Sequence, residues 1–219
     1  MQRVCFYVDG FNFYHSLKRL RREDSDYQRF YWLDFVKFFQ QFIDVGQELH
    51  KVYYFTAPPL LLEKSNRQSM LLEANKALNP DKFEIIRGQF YEKQVRCKVC
   101  LNTYTISEEK RTDVNIAVQM LGDCSINNVD TLVLVSADSD LLSPLQFIKE
   151  RYPDKKLRVY FPPKLRSGAL TAFMVENRKQ VVRLERSKDR FLRSIMPDPV
   201  IAAGLNITMP VKWQVPNNT

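Results

Sequence analysis

Two apolar runs, Val4 to Val8 and Thr131 to Val135, carry no polar alternation, so each reads as a strand buried on both faces, as in the middle of a parallel sheet. Each run ends abruptly in small and acidic residues: Asp9-Gly10 after the first, Ser136-Ala137-Asp138-Ser139-Asp140 after the second. Shorter runs at Val52 to Phe55, Phe83 to Phe90 and Leu157 to Phe161 predict further strands, with a last short one at Val181-Val182. Between them the apolar spacing changes to that of helices. These are predicted at about 13–21, 32–43 (Leu33, Val36, Phe39, Ile43), 60–78, 112–121, 141–148 and 170–176. Strands alternating with helices argue for a mainly parallel central sheet covered on both faces, an α/β three-layer sandwich of Rossmann-like build with right-handed crossovers.

In such sheets ligands collect at the carboxyl ends of the strands, where Asp9, Asp138 and Asp140 fall. Ser136 and Asp138 also suit helix capping, and Asn12 suits either capping or holding Asp9 in place. Capping explains one acid well. Two acids one residue apart repel unless a proton or cation lies between them, which favours a site. A further acid, Asp113, opens the apolar helix that begins after Glu108-Glu109-Lys110-Arg111, with Thr112 as its expected N-cap. Three segments can therefore bring Asp9, Asp113, Asp138 and Asp140 together. Carboxylate oxygens are the ligands that Mg²⁺ and Mn²⁺ choose, and a metal-bound water suits phosphodiester hydrolysis without a Cys, Ser or His nucleophile.

Composition adds a partner. The 219 residues hold 33 Lys and Arg against 25 Asp and Glu, a formal net charge of +8, which attracts polyanions such as RNA, single strands being the expected form. Lys110 and Arg111 beside Asp113, together with Ser136, are candidate substrate contacts, and Arg19, Arg21 and Arg22 are candidate phosphate contacts. The run Val4 to Val8 is too short for a signal peptide and no segment is long enough to span a membrane; with four cysteines, two of them (Cys5 and Cys124) in apolar or helical surroundings, a cytoplasmic protein without disulfides is expected.

Residues 91–106 break the alternation and form a predicted hairpin carrying Cys97-Lys98-Val99-Cys100. Two cysteines two residues apart are half of a zinc knuckle, but no second pair exists and His15 and His50 are distant in sequence. The hairpin is expected to be structural, zinc shared across a homodimer being the less favoured alternative. The segmentation expected is one domain over residues 1–183 with this hairpin inserted, then a basic helix (Arg186, Lys188, Arg190, Arg193) and a tail punctuated by Pro197, Pro199, Pro210 and Pro216 over residues 184–219. The tail's apolar anchors Ile195, Val200, Leu205, Ile207 and Trp213 suit docking on its own domain or on a protein partner.

Three ordered blocks carry a family resemblance: Val8-Asp9-Gly10-Phe11-Asn12, Lys110-Arg111-Thr112-Asp113-Val114 and Leu134-Val135-Ser136-Ala137-Asp138-Ser139-Asp140. Together they resemble the signature of the NYN domain family, the PIN-like group that includes the LabA-type bacterial proteins, over roughly Arg3 to Pro163. The resemblance implies a PIN-like fold and a metal-dependent ribonuclease site, with Asp9, Asn12, Asp113, Asp138 and Asp140 at its positions. Gln119 stands where family members often carry an acid, so a catalytically degenerate RNA-binding protein is the second reading. A haloacid-dehalogenase-like phosphatase fits less well, because Leu142 occupies the place where Thr or Val is wanted. Dinucleotide binding lacks both a glycine-rich fingerprint and a P-loop.

Overall fold

The computed structural model describes residues 1–179 and 181–214, with the backbone alone at 26 and 107–109. Six strands form one sheet in the order β3-β2-β1-β6-β7-β8: β1 Gln2–Asp9, β2 Gln47–Thr56, β3 Phe83–Arg87, β6 Thr131–Val135, β7 Lys156–Phe161 and β8 Val182–Arg183. Every neighbouring pair in it is parallel. The chain builds outward from β1 through β2 to β3, then returns to β1's other side and builds outward again from β6. The crevice between β1 and β6 is thus the topological switch point, where open α/β sheets bind ligands.

Both central strands are buried throughout their apolar runs, as expected of strands covered on two faces. Phe6 and Val8 point to one face, where α1 (Gly10–Leu20), α2 (Phe35–Gln40) and α3 (Leu62–Leu78) supply an aromatic-rich layer with Phe13, Leu17, Phe35, Phe39 and Leu72. Tyr7 and Cys5 point to the other, where α4 (Thr112–Ser125), α5 (Leu142–Arg151) and α6 (Gly168–Glu176) pack Ile116, Met120, Leu145, Ile148, Leu170 and Met174. The result is the three-layer α/β sandwich that the alternating pattern implies. Among the described residues no helix is long and apolar enough to cross a membrane.

Several elements differ from their sequence-based expectation. The run Phe83 to Phe90 is not one strand: it divides at Gly88, whose N–H donates to Thr56 O at 2.8 Å, and the chain then leaves the sheet as the hairpin of β4 (Gln89–Arg96) and β5 (Thr103–Lys110). Gly88 is required there, because a Cβ would lie 2.7 Å from Thr112 Oγ1 and 2.8 Å from Lys110 O. The second helix starts only at Phe35, capped by Asp34, since Leu33 is bridged to Ile195 instead. The segment after residue 183, with α7 (Lys188–Arg193), β9 (Val200–Ala202) and β10 (Leu205–Ile207), folds back onto the first aromatic layer. There Phe191, Val200, Ile207 and Trp213 are buried in the same core as Phe6, and Trp32 Nε1 donates to Pro197 O at 2.9 Å. Pro216 lies outside the described residues.

Candidate active site

Asp9 ends β1 and is the N-cap of α1. It is buried, and an ionised carboxylate so placed needs donors. Donors are present: Asn12 N–H at 2.9 Å on Oδ1, Asn12 Nδ2 at 2.6 Å on Oδ2, and Ser136 Oγ at 2.8 Å on Oδ2. Asn12 therefore holds Asp9 and does not cap the helix. Ser136 is fully buried below the surface and acts as a bridge, because its hydroxyl also accepts from the Asp138 N–H at 3.0 Å. Gly10 lets α1 start this close to the sheet: a Cβ would lie 2.5 Å from the Tyr54 ring.

Asp138, half-buried, caps the short 3₁₀ turn Ser139–Leu141 by accepting from the Asp140 N–H at 3.0 Å, while Asp140 is exposed. Asp113 sits in the first turn of α4. The N-cap of that helix is Arg111 and not Thr112, and Arg111 adopts a left-handed backbone with φ 76°. A β-carbon residue held there carries strain of about 1 kcal/mol or more, and such strain concentrates at functional sites. Asp9, Phe11, Asn12, Arg111, Thr112, Asp113 and Asp138 line one cleft of about 200 Å³ at the switch point. Lys110 precedes it as the exposed last residue of β5, and Ser136 supports its floor.

Electrostatics tie the acids together. The Asp113 carboxyl is pushed up from 3.8 to about 6, first by loss of water around it, then by the negative charges of Asp138, Asp9 and Asp140. Asp140 thus reaches the site through its field although it does not line the cleft. Among the described residues no three carboxylate, imidazole or thiol side chains form a ready-made metal-ligand group. The donor chemistry nevertheless fits a hard cation: the facing side chains are carboxylates, and their mutual repulsion is what a divalent ion relieves.

Gln119 does not line the cleft. Its Nε2 donates to Asp123 Oδ1 at 3.2 Å, and Asp123, buried, also accepts from Tyr7 OH at 2.7 Å and Tyr53 OH at 3.3 Å. This network ties α4 to β1 and β2 and so fixes where Asp113 starts. It also escaped the sequence reading, although Asp123 continues the buried stripe of Ile116, Met120 and Cys124. At the hairpin tip, Cys97 and Cys100 are free thiols. Hydrogen bonds from the Cys100 and Val99 backbone and from Cys100's side chain lower the Cys97 thiol.

A sequence model of the NYN domain matches residues 3–175, a span that contains every lining residue of the cleft. The chain belongs to the NYN domain family. This fold is nuclease-like. The chain is also 26% identical to 6-hydroxy-3-succinoylpyridine 3-monooxygenase HspA of Pseudomonas putida (strain DSM 28022 / S16), in a match covering 73% of this chain and 59% of that enzyme. The chain thus spans less than two thirds of the length of this relative. Among solved structures, a protein of unknown function from Vibrio parahaemolyticus RIMD 2210633 superposes with a TM-score of 0.49 at 19% identity, covering 84% of this chain and 93% of that one.

Proposed function

We propose that this NYN domain is a divalent-metal-dependent endoribonuclease acting on single-stranded RNA at the cleft between β1 and β6. The observation that carries the reading is geometric: Asp9, Asp113 and Asp138, from three separate segments, line one cleft at the switch point. Asp9, Asp113 and Asp138 would hold Mg²⁺ or Mn²⁺, with Asp140 adding to the field. Held there, such an ion would supply Lewis acidity for a water nucleophile and positive charge toward the phosphate. Hydrogen bonds from Asn12 and Ser136 hold the Asp9 carboxyl fixed in direction, so little reorganisation is left for the reaction itself. Arg111, whose backbone is held left-handed at the cleft wall, contributes a guanidinium to a phosphate oxygen. The formal net charge of +8 draws the polyanion in, so affinity falls steeply as salt rises. Gln119 bonds to Asp123 and leaves the cleft acids to act without it.

The test is incubation of the purified protein with labelled single-stranded RNA, single-stranded DNA and a phosphomonoester, each with Mn²⁺ or with EDTA. Cleavage confined to RNA plus metal supports the reading, and metal-independent or phosphomonoester hydrolysis overturns it. Two observations favour a second reading: the relative is named as a monooxygenase of a hydroxypyridine, and a largely apolar pocket adjoins the acids. Oxygen uptake in the presence of a reductant and a hydroxypyridine, with no RNA cleavage, would select that reading.

A further inference from the structure

Beside the acid cleft lies a second, larger pocket of about 290 Å³. The two share Phe11, and Gly10 next to Asp9 lines the larger one, so the pockets adjoin. Buried Tyr54, Ala57 and Leu71 contribute to an apolar lining, with exposed Leu60 and Leu61 beside them. Phe11 is 46% exposed, a large apolar ring left in water at the boundary between the two pockets, and it lies against His15 with ring centroids 4.2 Å apart. Into the same space faces one polar pair, Gln68 Nε2 donating to Thr56 Oγ1 at 2.9 Å. Lys18, Lys64 and Arg67 complete the lining with positive charge, Arg67 being shared with Glu63 at 3.8 Å. The charge is felt locally: the His15 imidazole is lowered by loss of water and then by Lys18, Arg19 and Lys64.

We infer that this pocket seats one nucleobase of the RNA strand, the base next to the scissile phosphate, stacked on Phe11 and edge-read by the Gln68 amide. The inference rests on the ribonuclease reading and deepens it. An apolar slot with an exposed aromatic ring accepts the face of any base, and a side-chain amide offers both a donor and an acceptor to its edge. Lys18 and Lys64 then meet the adjacent backbone phosphate. Adjacency through Phe11 argues for the occupant: a base here lies beside the cleft of Asp9, Asp113 and Arg111, so its backbone phosphate is within the acids' neighbourhood, a group that neither a peptide nor an acyl chain carries. A base seated on Phe11 is out of its own stack, so the strand it belongs to is single and locally unstacked.

The test uses the full chain in EDTA, so that binding is read without cleavage. A fluorescently labelled 8-mer RNA is compared with versions carrying a single abasic nucleotide at each position, and the four nucleoside monophosphates are compared with ribose 5-phosphate. One abasic position should weaken binding about tenfold or more, the range of base–aromatic stacking, and every monophosphate should outcompete ribose 5-phosphate. Phe11→Ala should abolish that position dependence, Phe11→Tyr should keep it, and Gln68→Leu should level the ranking among the four bases. A flat abasic scan with intact RNA binding overturns the pocket while leaving metal-dependent cleavage free to stand. Base-dependent binding by a protein that cleaves nothing overturns the ribonuclease reading and leaves the pocket in place.

Discussion

Replacing Asp113 by Asn removes one charge from a crowded set of acids without changing its shape. Two effects compete at this position and have opposite pH dependence. As a first-turn acid, Asp113 gains about 0.3–1 kcal/mol from the helix dipole, an effect that lowers its pKa and makes stability rise with pH. Lost hydration and the neighbouring aspartates raise it from 3.8 to about 6 instead. With the folded pKa above the unfolded one, the proton binds the folded state more tightly; this contribution is complete below 3.8 and is lost as pH rises through 6. Taken at face value the shift is worth about 3 kcal/mol, but Asp113 is exposed and solvent screening leaves roughly 1. Urea unfolding in EDTA from pH 4 to pH 7 should therefore show Asp113→Asn gaining about 1 kcal/mol on the parent across that window. Adding Mn²⁺ should reverse the order, because a cation bound by the folded state alone stabilises the parent, by about 2.7 kcal/mol at a hundred times Kd. A parent whose advantage over Asp113→Asn grows with pH in EDTA would show that the dipole wins and that the acids do not converge.

Other substitutions test how the site is held. Asp123→Ala strips Tyr7, Tyr53 and Gln119 of their shared acceptor and should cost about 3 kcal/mol in urea unfolding; less than 1 would mean that the buried network is not what ties α4 to the sheet. Gly88→Ala puts a methyl group against Thr112 and the Lys110 carbonyl and should destabilise by about 1–3 kcal/mol, an unchanged melting temperature counting against the close packing of hairpin on helix. Arg111→Gly relieves the left-handed backbone, so stability should hold or rise by up to about 1 kcal/mol while RNA affinity drops; a stability loss with unchanged affinity would remove Arg111 from the phosphate path.

The two central strands and the acids at their ends were legible because burial on both faces leaves a run with no polar residue, and the first polar residues beyond it must lie at the sheet edge. Alternation of strands and helices then supplied the layers. What escaped depends on contacts distant in sequence. Phe83 to Phe90 reads as one strand until Gly88 is seen against Thr112 and Lys110. Thr112 has the chemistry of a cap, yet the chain enters α4 through a left-handed arginine, which no propensity suggests. Asp123 looks like an unremarkable helix acid because its partners Tyr7 and Tyr53 come from two other strands. The second pocket gathers residues from the start of α1, the end of β2 and the first turns of α3, none forming a motif in the linear chain.

On the proposed function, Asp9, Asp113 and Asp138 act together on a metal-bound RNA phosphate. Cleavage of a labelled single-stranded RNA by the parent and by Asp138→Asn, each with Mn²⁺ and with EDTA, tests it most directly, since Asn caps a helix about as well as Asp and the fold should be kept. Mn²⁺-dependent endonucleolytic products are expected from the parent, and at least about a hundredfold loss in Asp138→Asn with an unchanged melting temperature in EDTA. Equal cleavage by both proteins, or cleavage that persists in EDTA, would contradict it.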